Sequence, residues 1–60
     1  MSSDKLYNDI KQLFTDFEDN HSIFVDKGNK AAGGRARKAI GEIKKLVTSY
    51  RQASVNESKS

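Results

Sequence analysis

Residues 30–52 read KAAGGRARKAIGEIKKLVTSYRQ, and two seven-residue patterns run through them. Ala32, Ala36, Ala39, Ile43, Leu46 and Tyr50 alternate at spacings of four and three, the stripe of a helix that buries one side. Lys30, Arg37, Lys44 and Arg51 recur every seven positions away from that stripe, and Lys38 and Lys45 follow two of them by one. Seven residues make two helical turns, so these charges line up along the axis. The spacing predicts one long helix, packed along one face and cationic along another.

The preceding segment carries a matching stripe, Leu6, Ile10, Leu13, Phe17, Asn20 and Phe24. Between the two stripes Lys27, Gly28 and Asn29 break the period. Glycine suits a left-handed helix end, lysine complements the carbonyl terminus, and asparagine can cap a following helix. The expected organisation is a helix over about 4–26 with Ser2 or Ser3 as N-cap, a turn at 27–29 and a helix over about 30–52. Residues 53–60, ASVNESKS, lack periodicity and are expected to form a disordered tail. In an antiparallel hairpin facing positions have a constant sum of residue numbers. A sum of 56 pairs Phe24 with Ala32, Asn20 with Ala36, Phe17 with Ala39, Leu13 with Ile43, Ile10 with Leu46 and Leu6 with Tyr50. Large side chains meet small ones near the turn, as interdigitated packing requires. The fold class is therefore all-α, an antiparallel, coiled-coil-like two-helix hairpin. Its weak layer is Asn20 against Ala36, either a polar register device or a partly wet position.

Sixty residues, 35% of them hydrophobic and none cysteine, can bury only a small core in a monomer and have no disulfide to brace it. Each helix carries a second apolar row in its heptad e positions: Tyr7, Phe14 and His21 on the first, Gly33, Ile40 and Val47 on the second. In an antiparallel pair the two e rows lie on the same side. The six residues are expected to form the interface of a homodimer, two hairpins closing into a four-helix bundle. The simpler alternative is that they flank the seam of a monomer. A polar N-terminus and the absence of a long apolar run predict a cytoplasmic chain that does not cross a membrane.

Charge is divided between the halves. Residues 1–26 hold two Lys and six acids, 2 − 6 = −4, and residues 27–60 hold nine Lys or Arg and two acids, 9 − 2 = +7. A helix packed on one side and basic on the other suits a polyanion, and nucleic acid is the commonest large one. Between the Lys30, Arg37, Lys44, Arg51 row and the Lys38, Lys45 row run Gly34, Gly41 and Thr48, the outermost positions of the helix. Such a crest lets a sugar-phosphate backbone approach closely while cations grip it from both sides. Alternatively, Gly33 and Gly34 belong to a longer interhelix loop. The basic face has no aromatic side chain for stacking bases, so double-stranded DNA is preferred to a single strand, with phosphate contact and little sequence preference. Arg35, Arg37 or Arg51 could also reach a base edge. The second function considered is a helical interaction module that docks an acidic protein.

Chemistry finds no footing. His21 has neither a cysteine nor a second histidine beside it, and it falls in the apolar row, so no catalytic or metal role is assigned to it. Asp16, Glu18, Asp19 and Asp26 lack the glycine and terminal glutamate of a calcium loop. Gly28 and Gly33 have the spacing of a phosphate-binding loop, but Gly34 and Arg35 stand where lysine and a hydroxyl residue are needed. No enzyme, cofactor or small-molecule substrate is expected.

The run Lys27-Gly28-Asn29-Lys30-Ala31-Ala32, with Arg35 and Arg37 after it and Tyr50-Arg51 further on, resembles the linker-histone-like nucleoid proteins of bacteria, best known from chlamydiae. The resemblance covers residues 24–52. It implies a histone-like, DNA-condensing protein of the nucleoid, without enzymatic activity, whose DNA contacts fall on Lys30, Arg35, Arg37, Lys38, Lys44, Lys45 and Arg51. Gly34 joins this set from the crest argument. The chlamydial relatives continue into a long Lys- and Ala-rich tail, whereas only Lys59 is basic after residue 52 here. The helical core is therefore expected to do the binding.

Overall fold

The computed structural model describes residues 2–59, which form two helices, α1 (Ser3–Lys27) and α2 (Lys30–Lys59), packed against each other antiparallel. Described residues contain no strand, and the molecule is a rod of 49 × 14 × 12 Å. Local chemistry sets each boundary. Ser2 is extended and its hydroxyl accepts from the Lys5 amide at 3.3 Å, while Asp4 lies in the first turn where the helix dipole favours an anion. Gly28 ends α1 at φ 62°, a conformation glycine adopts without steric cost. The Asn29 side chain then accepts from the Ala31 amide at 3.0 Å and the Ala32 amide at 3.1 Å, capping α2.

The hairpin core is thin. Among the described residues Leu6, 1% exposed, is the one fully buried large side chain, and the other buried apolar side chains are Ala32, Ala36, Ala39 and Ala53. Burying a leucine contributes about 1.5–3 kcal/mol. Many large apolar side chains stay more than a third exposed, including Tyr7, Phe14, Ile40 and Val47.

The register in the half nearest the turn follows the constant-sum rule. Arg35 Nε donates to Asn20 Oδ1 at 2.7 Å, and Phe24 lies over Gly33. A Cβ at Gly33 would stand 2.8 Å from Phe24 Cδ1, so this glycine permits close approach of the ring. Gly33 and Gly34 are helical, within the helix expected from residue 30, and do not form the alternative longer loop; Gly33 is buried inside the hairpin, under Phe24.

The far end departs further. Tyr50, expected in the seam opposite Leu6, is 39% exposed, and Leu6 instead borders a cleft with Ser49, Gln52 and Ala53. Residues 53–59 are helical rather than the disordered tail expected there, while Ser60 lies outside the described residues. The cause is a polar closure. Glu57 accepts from the Ser3 amide at 2.6 Å and from the Ser3 hydroxyl at 2.8 Å, fastening the end of α2 to the start of α1. Helical side chains lean toward their own N-terminus, which carries this carboxylate back over the first turn of α1.

Candidate nucleic-acid interface

Lys30, Arg37, Lys38, Lys44, Lys45 and Arg51 are all exposed on α2. The row from Lys30 to Arg51 spans about 32 Å at 1.5 Å per residue, close to one turn of a B-form duplex. Each step of the row covers about 10 Å. Lys45 approaches Glu42 at 3.7 Å, an exposed pair three residues apart that holds the ammonium only weakly.

The crest between the two rows is open. A Cβ built at Gly41 would meet nothing within 4 Å, and one at Gly34 would meet only Arg37 Nη2 at 3.8 Å. Inside a helix each glycine costs about 1 kcal/mol relative to alanine. Packing within the hairpin accounts for Gly33 but for neither Gly34 nor Gly41. Thr48, the third crest position, is exposed.

Arg35 does not belong to this face. Two residues of helix turn it about 160° away from Arg37, and its Nε bond to Asn20 ties it across the helix pair. Asn20 is itself held by donation from Nδ2 to the Asp16 carbonyl at 2.8 Å. The surrounding cleft is lined by Asp16, Asn20, Arg35, Lys38 and Glu42 around Leu13 and Ala39, so both signs of charge meet there. The Asn20 layer is therefore a cross-helix polar link. Lys38 sits at the border between this cleft and the basic face.

On the third side lies the apolar row. Tyr7, Phe14, Ile40 and Val47 are between 43% and 54% exposed. His21 is also exposed and stacks on Phe17 at 5.9 Å between ring centroids, with Phe14 6.0 Å from Phe17 on its other side. Ala53 and Glu57 extend the alternating spacing beyond Tyr50, although both lie in the segment expected to be a disordered tail. A glutamate at a seam position looks like the end of a core, and only the hydroxyl and amide of Ser3 make it a closing residue.

No helix among the described residues is long and apolar enough to cross a membrane. Comparison with curated proteins and with solved structures gave no match. A family model described as histone H1-like protein Hc1 matches residues 4–60, taking in both helices, the KGNKAA turn and the basic ladder. A match over nearly the whole chain, on a hairpin with one cationic edge, shows that this chain belongs to the histone H1-like protein Hc1 family.

Proposed function

We propose that the chain is a nucleoid-associated, histone-like protein of the cytoplasm that grips the backbone of double-stranded DNA with the outer edge of α2. A histone-like role in DNA binding is what family membership carries in general. The finer reading rests on one observation, the exposed cation rows on either side of a glycine crest that hairpin packing does not explain. Lys30, Arg37, Lys44 and Arg51 form one row and Lys38 and Lys45 the other, with Gly34 between them. Arg35 is left out because it is engaged with Asn20. Contact of this kind reads phosphate spacing more than base sequence, and it would compact or organise DNA without chemistry.

The same reading includes a homodimer formed through Tyr7, Phe14, Ile40 and Val47, with His21 at its margin. Support comes from the thin hairpin core and the apolar row left outside it. Fluorescence anisotropy with an arbitrary duplex, repeated over a range of salt, tests the DNA contact. A log-log slope proportional to the phosphates neutralised is expected. Binding only to an acidic protein, with no salt-dependent affinity for duplex, would favour the interaction-module reading instead.

A further inference from the structure

We propose that the second copy docks with α1 lying on its partner's α2, so that the dimer presents its two cationic edges on opposite sides and joins two duplexes. The inference rests on the homodimer and DNA contact proposed above and fixes what they leave open, the arrangement of the copies. Two layers meeting face to face can be related by a two-fold axis along the helices or by one across them. Every adjacent pair of helices is antiparallel either way, so topology does not choose. Charge and side-chain size do.

With the axis along the helices, each residue of α1 meets the partner's α2 at the level it already has within its own hairpin. In the half nearest the turn that level follows sums of 55 to 57, as the Asn20–Arg35 bond and the Phe24–Gly33 contact show, and at the far end the Ser3–Glu57 bonds raise it to 60. Phe14 then comes beside Ile40 of the partner subunit, a ring against an aliphatic side chain. The heptad b rows meet at the rim, where Glu18 faces Arg37 of the partner subunit and Asp4 lies about one turn beyond Arg51 of the partner subunit. Lys11 opposite Lys44 of the partner subunit is the one like-charge approach, and Val25 is neutral. With the axis across the helices α2 would lie on its own copy. Its rim row of Lys30, Arg37, Lys44 and Arg51 carries no acid and would face itself along its whole length. Like charges brought together at an interface rim disfavour that arrangement.

The consequence follows from the heptad positions. Seen end on, the cation rows and the glycine crest point sideways from α2, away from α1. With α1 on the partner's α2, the two α2 helices occupy diagonal corners and their basic edges face outward in opposite directions. Two helix diameters, about 20 Å, separate them. That exceeds twice the Debye length of about 8 Å at physiological salt, so repulsion between two bound duplexes is largely screened. The other arrangement would put both edges on one side, where they could only coat a single duplex.

The chain has no cysteine, so introduced thiols report the geometry cleanly. Phe14→Cys chains mixed with Ile40→Cys chains are expected to form a covalent dimer under mild oxidation. Val47→Cys alone, or mixed with Ile40→Cys, is not. If cysteine at these positions weakens pairing, Glu18→Cys mixed with Arg37→Cys reads the same geometry at the rim. Linking between two α2 helices, or none in either α1–α2 mixture, overturns the arrangement. A bead-bound duplex should then capture a labelled second duplex in the presence of the unsubstituted chain. Ile40→Asp, a change at an exposed position, should keep its helicity and still bind one duplex while capture falls to the protein-free level. Capture retained by Ile40→Asp, or absent from a chain that links as expected and binds one duplex, overturns the two-sided dimer. A chain that binds no duplex at all removes the DNA reading beneath it.

Discussion

Among the glycines of α2, position alone does not say which are structural and which are not. Gly33 is confined by the Phe24 ring, whereas Gly41 opens onto free space. Gly41→Ala should therefore raise stability by up to about 1 kcal/mol, the ordinary helix preference for alanine. Gly33→Ala has the same helical gain, but its methyl must push Phe24 off the seam. It should be about 1–3 kcal/mol less stable than Gly41→Ala. Thermal or urea unfolding of the two variants side by side checks this, and equal stabilities would mean that the ring does not depend on the missing Cβ. The sequence shows both glycines at helical heptad positions, and it is the arrival of Phe24 from the other helix that separates them. Arg35 makes the same point. It stands within the R-x-R of the family resemblance, yet Asn20, fifteen residues earlier, turns it toward the cleft.

At the scale of the helices, the stripes at spacings of three and four settle the hairpin, its turn at Gly28 and its register near the turn. Where α2 ends was not legible, because Glu57 has no apolar character and its partner lies 54 residues away at Ser3. The link is an electrostatic closure, and pH exposes it. Hydrogen bonds from the Ser3 amide and then the Ser3 hydroxyl hold the Glu57 carboxyl below its ordinary value of 4.5. A carboxyl lowered in the folded state binds its proton less readily there than in the unfolded chain. The link therefore adds stability above about pH 4.5 and loses it as pH falls through the lower folded value. Hydrogen exchange should show amides 53–59 protected at neutral pH and losing protection in acid before the half of α2 nearest the turn does. Glu57→Gln should lower their protection at neutral pH and flatten the acid response of this segment. Protection that falls in acid as steeply in Glu57→Gln as in the unsubstituted chain would place the titrating group elsewhere.

At the scale of the whole molecule, three surfaces share two helices: an apolar face, a cleft of mixed charge and a basic edge. The apolar face predicts association. Sedimentation at micromolar concentration should give a mass near twice that of one 6.7 kDa chain, and Ile40→Asp should return it to one by burying an unpaired carboxylate at the interface, at a cost of several kcal/mol. The basic edge sets the sharper expectation. Replacing Arg37 and Lys44 by glutamate should weaken duplex binding by orders of magnitude with helicity intact. Removing cations from the ladder one at a time should lower the salt slope by about one for each phosphate no longer neutralised. Arg35→Gln serves as an internal comparison, since that side chain is turned away from the edge and tied to Asn20. It should leave the slope unchanged, although charge alone would rank it with Arg37. Lys5 and Lys11 on α1 complete the set. Lys5 is within 3.4 Å of Asp9, and neither belongs to the ladder. If Lys5→Glu and Lys11→Glu weaken binding as much as the Arg37 and Lys44 changes, DNA responds to net charge alone. The glycine crest and its flanking rows would then have no part in recognition.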